Sequence, residues 1–111
     1  MGKDLLGEFE LMVLLSVMRL GEEEAFSLAI VDDIQARTGR AVRRSAVYTT
    51  LKRLEKKGYV STWLGPPRPE RGGKARRHVK LEAPGAAAVH SSRIALEHMW
   101  DGLDTRPEEA S

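Results

Sequence analysis

The feature that most constrains the fold is the stretch of residues 43–60, RRSAVYTTLKRLEKKGYV. Val47, Leu51 and Leu54 recur at helical spacing and predict one buried helix face. The opposite face carries side chains that donate hydrogen bonds, namely Tyr48, Thr49, Lys52, Arg53 and Lys56. A short amphipathic helix with a cationic outer face is suited to the major groove of DNA, and a solvated surface helix is the alternative.

The ends of this helix are marked by residues with special backbone roles. Ser45 is predicted as the N-cap, and Gly58 lies where a helix commonly ends in the left-handed conformation. The recognition helix is therefore expected at residues 45–57. Residues 59–64 then alternate with β-branched and aromatic side chains, which predicts a strand.

Charge is strongly segregated along the chain. Residues 37–80 contain 14 basic and two acidic side chains, a net charge of +12, whereas the remaining four basic and 14 acidic side chains give −10. One positive region on an acidic body would steer the molecule onto a polyanion. This division favours nucleic acid as the partner.

Two further helices are expected before the cationic one. Residues 5–20 keep helical spacing and are apolar on more than one side, which indicates that a partner subunit covers the second side. Residues 27–38 form the next helix, with Ser27 as its cap and Gly39 at its end. Residues 41–42 are predicted as a very short edge strand. Three helices with a tight connection before the third have helix-turn-helix order.

A β-hairpin with a basic loop is expected after the cationic helix. Residues 65–74, GPPRPERGGK, exclude regular structure, and residues 76–81 resume alternation. Arginine on such a loop can contact a minor groove or its phosphates; a loop without a partner is the alternative. The residues predicted to contact DNA are Arg43, Arg44, Ser45, Tyr48, Thr49, Lys52, Arg53, Arg68, Arg71, Lys74 and Arg76.

The last predicted helix spans residues 86–103 and begins near Pro84. Its apolar residues recur every seven positions, which indicates pairing with another helix. Trp100 would be buried in the seam of a dimer or would stack on a flat aromatic effector between subunits. The residues predicted for the dimer seam or effector pocket are Val89, Leu96, Met99, Trp100 and Leu103.

Several classes of protein are disfavoured. The chain has no cysteine, so disulfides and thiolate chemistry are excluded. No apolar run is long enough to span a bilayer and the N-terminus does not resemble a signal peptide, so a cytoplasmic protein is expected. His90 and His98 are too far apart on one helix to share a metal, and no catalytic arrangement or cofactor motif is found. We predict neither an enzyme nor a cofactor or metal site.

With these elements in place, the chain resembles the PadR-like transcriptional regulators over residues 5–103. The most specific parts are AVYTTLKRLE at residues 46–55, GYV at 58–60 and PERGGK at 69–74. Departures from the family pattern are Ser27-Leu28 in place of Gly-Tyr, Ser45 in place of glycine, and the loss of a threonine cap after Leu81. None of these removes a cation from the predicted DNA-facing surface.

The resemblance implies a homodimeric, ligand-responsive repressor with one C-terminal helix as its dimer element. We expect a mainly α fold with a small β-hairpin (α+β): a winged helix-turn-helix DNA-binding domain at residues 5–82, a dimerisation helix at 83–104 and a frayed acidic tail at 105–111. The expected partners are a palindromic operator in double-stranded DNA, a second copy of the chain and a small aromatic effector. A winged-helix module that binds another protein is the alternative function.

Overall fold

The computed structural model describes residues 5–66 and 75–107. The chain forms four helices and one hairpin, in the order α1 (Glu8–Glu24), α2 (Ser27–Thr38), α3 (Arg44–Lys56), β1 (Val60–Leu64), β2 (Arg77–Leu81) and α4 (Ala83–Trp100). This confirms the predicted mainly α fold with a small antiparallel hairpin. No helix within the described ranges is long and apolar enough to cross a membrane.

The predicted helix starts were less accurate than the helices themselves. α1 begins at Glu8 and not at residue 5, and Gly21, with φ 80°, interrupts its regular geometry. α2 has the predicted span, but Ser27 is its first helical residue and Phe26 occupies the N-cap position. Phe26 is extended because its backbone bridges to His78 of β2.

α3 begins one residue earlier than predicted. Arg43 is its N-cap without a side-chain cap bond, so Ser45 is inside the helix and not its cap. Gly58 has φ 81°, the left-handed conformation expected after the helix. Residues 41–42 form no strand. The backbone that lies beside β2 comes instead from the α1–α2 connection, where the Ala25 carbonyl accepts the Val79 N–H at 2.9 Å.

The hairpin is antiparallel, and its register runs from Val60 opposite Leu81 to Leu64 opposite Arg77. Each strand begins one residue later than predicted. One face of β2 closes a core formed mainly by the first three helices. The fully buried apolar residues of this core are Val13, Leu14, Ala25, Ile30, Val47, Leu54 and Val79.

α4 packs on the winged helix through its first half. Pro84 lies in its first turn, as predicted, where proline is tolerated because no N–H bond is lost. Gly85 is buried with no room for a Cβ, which would lie 2.3 Å from the Tyr59 carbonyl oxygen. Further along, Val89 and Ser92 are buried within the chain. The prediction that Val89 lies in the dimer seam is therefore wrong. Leu103 lies beyond the end of the helix, which also corrects the predicted span.

Candidate nucleic-acid interface

The outer face of α3 carries the exposed residues predicted for DNA contact. The exposure of these side chains follows from the amphipathic pattern, because Val47, Leu51 and Leu54 are buried on the other face. The Lys52 ammonium lies 5.4 Å from the centre of the Tyr48 ring, a cation–π distance. The predicted residues of this stretch that are exposed are Arg43, Arg44, Ser45, Tyr48, Thr49, Lys52 and Arg53. The Tyr48 side chain is exposed and therefore does not fill the core.

Arg53 differs from the other predicted residues of α3. Half of its side chain is exposed, but its Nε donates to Glu10 Oε2 on α1 at 3.1 Å. Lys57 Nζ lies 3.2 Å from the same oxygen. Arg53 thus has a partner within the chain, and its contact with DNA stays a prediction.

Acidic residues of the helical body neutralise one side of the basic region. Arg37 pairs with Asp33 at 2.9 Å and Arg40 with Glu8 at 3.2 Å, in addition to the two cations on Glu10. The Arg40–Glu8 pair is exposed and contributes little to stability, but all of these pairs fix where positive charge remains. The cations that form no salt bridge with another residue of the described ranges are Arg43, Arg44, Lys52, Lys56, Arg76, Arg77 and Lys80.

A cleft of about 210 Å³ lies between α3 and the hairpin, and we call it the α3–hairpin cleft. The helix lines it with Tyr48, Leu51, Lys52 and Glu55, and the strands line it with Thr62 and Arg77. Arg77 Nη1 donates to Thr62 Oγ1 at 2.9 Å, and that hydroxyl donates to Glu55 Oε2 at 3.0 Å. This network holds the Arg77 guanidinium beside α3. The donor-bearing side chains of Tyr48, Lys52 and Arg77 therefore border one cleft large enough for a phosphate group, and the Glu55 carboxylate, bonded to Thr62, lines the same cleft.

Arg77 was not among the residues predicted for DNA contact, because in the alternating strand it shares a side with the apolar Val79 and Leu81. That same alternation contained the signal. A basic side chain at the end of a strand cannot be buried without a partner, so it lies at the edge of the core. Here that edge borders α3. Pairing of Arg77 with Leu64 at the end of the hairpin places it there.

A second basic cleft, of about 270 Å³, lies where α2 and α3 begin. Arg44 and Arg76, both predicted for DNA contact, border this same space. The Arg76 guanidinium carbon lies 4.1 Å from the centre of the Phe26 ring, which holds the cation at the rim. The structure therefore brings together two predicted residues that are 32 positions apart in the chain.

The base of the hairpin loop is packed by aromatic rings. His78 stacks on Trp63 with ring centres 5.6 Å apart, and it also makes a T-shaped contact with Phe26 at 6.0 Å between ring centres. A Cβ at Gly65 would approach the His78 ring to 2.9 Å, so glycine is required for this close approach. His78 Nδ1 is buried without a hydrogen-bond partner in the part of the chain that the structure describes. The predicted loop residues Arg68, Arg71 and Lys74 lie outside the described residues.

The far end of α4 and the residues just after it carry four exposed apolar side chains. Met99 is 75% exposed, Leu103 66%, Trp100 53% and Leu96 43%, and we call these four residues the α4 patch. α1 contacts α4 within the same chain, and Leu6 N–H donates to Ser92 Oγ at 3.2 Å. The α1 residues that remain exposed and apolar are Leu15 and Met18. Exposed apolar surface of this kind is typical of an interface.

No metal site competes with this interpretation. Among residues 5–66 and 75–107, no three His, Asp or Glu side chains are grouped so that they could hold a metal ion.

Comparison with known proteins identifies one family. Residues 14–91 match the model of the transcriptional regulator PadR-like family. No curated protein sequence is similar enough to match this chain.

Solved structures share the fold at low sequence identity. A PadR family transcription regulator from Clostridium difficile R20291 has a TM-score of 0.69 at 14% identity, with 84% of this chain and 91% of that chain covered. A PadR family regulator from Eggerthella lenta has a TM-score of 0.64 at 22% identity, with 82% and 76% covered. Bacillus subtilis PadR in complex with operator DNA has a TM-score of 0.64 at 16% identity, with 93% and 52% covered.

Proposed function

This chain belongs to the transcriptional regulator PadR-like family, and on that premise we propose that it is a dimeric, sequence-specific DNA-binding repressor. The observation that carries the proposal is the convergence of Tyr48, Lys52 and Arg77 on the α3–hairpin cleft. Family membership agrees with the prediction that the chain is a regulator and not an enzyme. The Bacillus subtilis neighbour, which was solved with operator DNA, supports the same kind of partner.

We propose that α3 lies in the major groove and that the hairpin loop reaches the adjacent minor groove or its phosphates. The sugar–phosphate backbone that separates the two grooves would then pass over the α3–hairpin cleft. Tyr48 Oη, Lys52 Nζ and the Arg77 guanidinium would donate to one of its phosphates. Ser45 and Thr49, exposed on the same face, would contact base edges, where sequence is distinguished.

Dimerisation is proposed because one helix-turn-helix contacts too few base pairs for specificity. Two copies held about one DNA turn apart, roughly 34 Å, would bind a palindrome. The α4 patch would form the seam together with Leu15 and Met18, the exposed apolar residues of α1. An aromatic effector would bind at this seam, where Trp100 offers a ring for stacking.

The proposal is tested by selecting duplexes from a random pool with the full chain. We expect a palindromic site whose half-sites are about 10–10.5 base pairs apart. Affinity should fall with salt at a log–log slope of about −0.9 for each neutralised phosphate, so a slope of several units is expected for a dimer. Binding that selects no sequence and is flat in salt would favour the protein-interaction module. Repression itself is tested by placing the selected site within a reporter promoter.

A further inference from the structure

Glu10 is a buried carboxylate between α1 and the C-terminal end of α3, and sequence reasoning assigned it no role. Only 8% of the residue is exposed. Its Oε1 accepts the Gly7 backbone N–H at 3.0 Å. Its Oε2 accepts hydrogen bonds from Arg53 Nε at 3.1 Å and from Lys57 Nζ at 3.2 Å. One side chain therefore ties the start of α1 to the end of α3.

The carboxylate is ionised in this position. Burial alone would raise the pKa of Glu10, but the hydrogen bond from the Gly7 amide and the two cations outweigh it and lower the pKa below its ordinary value. Charge-assisted hydrogen bonds are shorter and stronger than neutral ones, so they restrict the groups that they join. Movement of α3 along α1 would leave this buried charge with fewer partners, which is costly.

The same connection continues to α4. The Leu6 N–H donates to the buried Ser92 Oγ of α4. The next residue is Gly7, whose N–H donates to Glu10 Oε1. A continuous path thus runs from α4 through residues 6–7 to Glu10 and on to the end of α3. Its two ends are the helix that we assign to dimerisation and the helix that we assign to DNA.

We propose that Glu10 is a positioning residue that sets the orientation of α3 relative to α4, and thereby the spacing of the two recognition helices in the dimer. The inference rests on the proposed function, because spacing has meaning only for a dimer on DNA. Glu10 would then help to determine which operator is bound, although it lies outside the DNA-facing surface.

The test compares Glu10→Gln with the matched control Glu8→Gln. Both residues lie in the first turn of α1 and both substitutions remove one negative charge, so their long-range effect on DNA attraction is the same. Glu8, however, is exposed and pairs with Arg40, which precedes α3. Each variant is measured on the duplex that the wild-type chain selects and on the same duplex with one base pair inserted at its centre.

Insertion displaces and rotates one half-site, so the wild-type chain and Glu8→Gln should bind the longer duplex at least about tenfold more weakly. Glu10→Gln should lower affinity for the selected duplex and reduce this discrimination to about threefold or less, a change within the range of coupling through packed elements. A loss of stability alone would weaken both duplexes equally. Thermal unfolding of each variant shows what fraction is folded.

Lys57→Gln provides a second measurement that keeps the Glu10 bonds to Gly7 and Arg53. It should shift discrimination in the same direction as Glu10→Gln but less. If both variants discriminate as the wild type does, Glu10 is not a positioning residue, although DNA binding stands. If the wild-type chain itself binds no duplex, the proposed function fails and the role of Glu10 with it.

Discussion

Gly85→Ala should destabilise the protein although alanine is the better helix former. A Cβ at this position would lie 2.3 Å from the Tyr59 carbonyl oxygen and 2.9 Å from Leu81 Cδ1, whereas ordinary contact begins at 3.4 Å. α4 would have to move by roughly 1 Å to accept the methyl group. The same carbonyl accepts the Glu82 N–H at 2.9 Å, so this movement also strains the bond at the start of α4.

The opposing energies decide the sign. Replacing glycine by alanine in a helix gains at most about 1 kcal/mol. Overpacking a closed contact costs about 1–3 kcal/mol, and loss of the Glu82 hydrogen bond adds about 1 kcal/mol. The net destabilisation is therefore about 1–3 kcal/mol, which lowers the unfolding temperature by about 4–12 °C in a domain of this size.

Thermal unfolding followed by circular dichroism measures this effect. Ala87→Gly, at an exposed position of the same helix, is the matched control, because it gives the difference in helix propensity without a steric contact. The unfolding free energy that Ala87→Gly loses is equal to the amount that Gly85→Ala would gain if the methyl group had space. An unfolding temperature equal to or above that of the wild type would show that α4 does not pack tightly on Tyr59.

Three further outcomes are expected. Lys52→Ala removes one proposed phosphate contact, so it should weaken binding to the selected and to unrelated duplexes alike and reduce the salt slope by about 1, and an unchanged affinity by fluorescence anisotropy would remove α3 from the interface. Leu96→Glu should yield monomers that keep their helical signal and lose operator binding. The control Ser91→Glu, at an exposed position on another face of α4, should remain dimeric in sedimentation. If both variants are dimeric, the α4 patch is not the seam. The lowered pKa values of Glu10 and Asp33 mean that the folded protein binds fewer protons than the unfolded chain, so stability present above about pH 4.5 should fall as pH decreases below it, and less so in Glu10→Gln. An acid unfolding curve for Glu10→Gln that coincides with that of the wild type would contradict the assignment.

The helices could be predicted because their patterns are local. Apolar spacing and the glycines that end α2 and α3 depend on residues within a few positions, and both ends were correct to one residue. The helix starts depended on distant contacts. Phe26 replaced the predicted cap of α2 because its backbone bridges to His78, which is 52 positions away.

Contacts that are distant in the sequence also explain why Glu10 was missed and why Val89 was assigned to the wrong surface. Glu10 stands 43 positions from Arg53, and its position on α1 offers only a carboxylate in a first turn, which is common in helices. Val89 was assigned to an exposed seam because a seven-residue repeat does not reveal which of its members pack within the chain. Burial divides this repeat, since Val89 contacts the core and Leu96 is exposed.

The chain's two tryptophans lie on the two surfaces to which separate functions are assigned. Trp63 stacks on His78 at the base of the hairpin loop, and Trp100 is exposed at the far end of α4. An indole ring responds in its emission to the polarity around it. Trp100→Phe leaves a fluorophore beside the DNA-facing surface, and Trp63→Phe leaves one at the proposed seam. The natural sequence therefore provides intrinsic optical probes that can separate DNA binding from subunit association in one titration, without an attached dye.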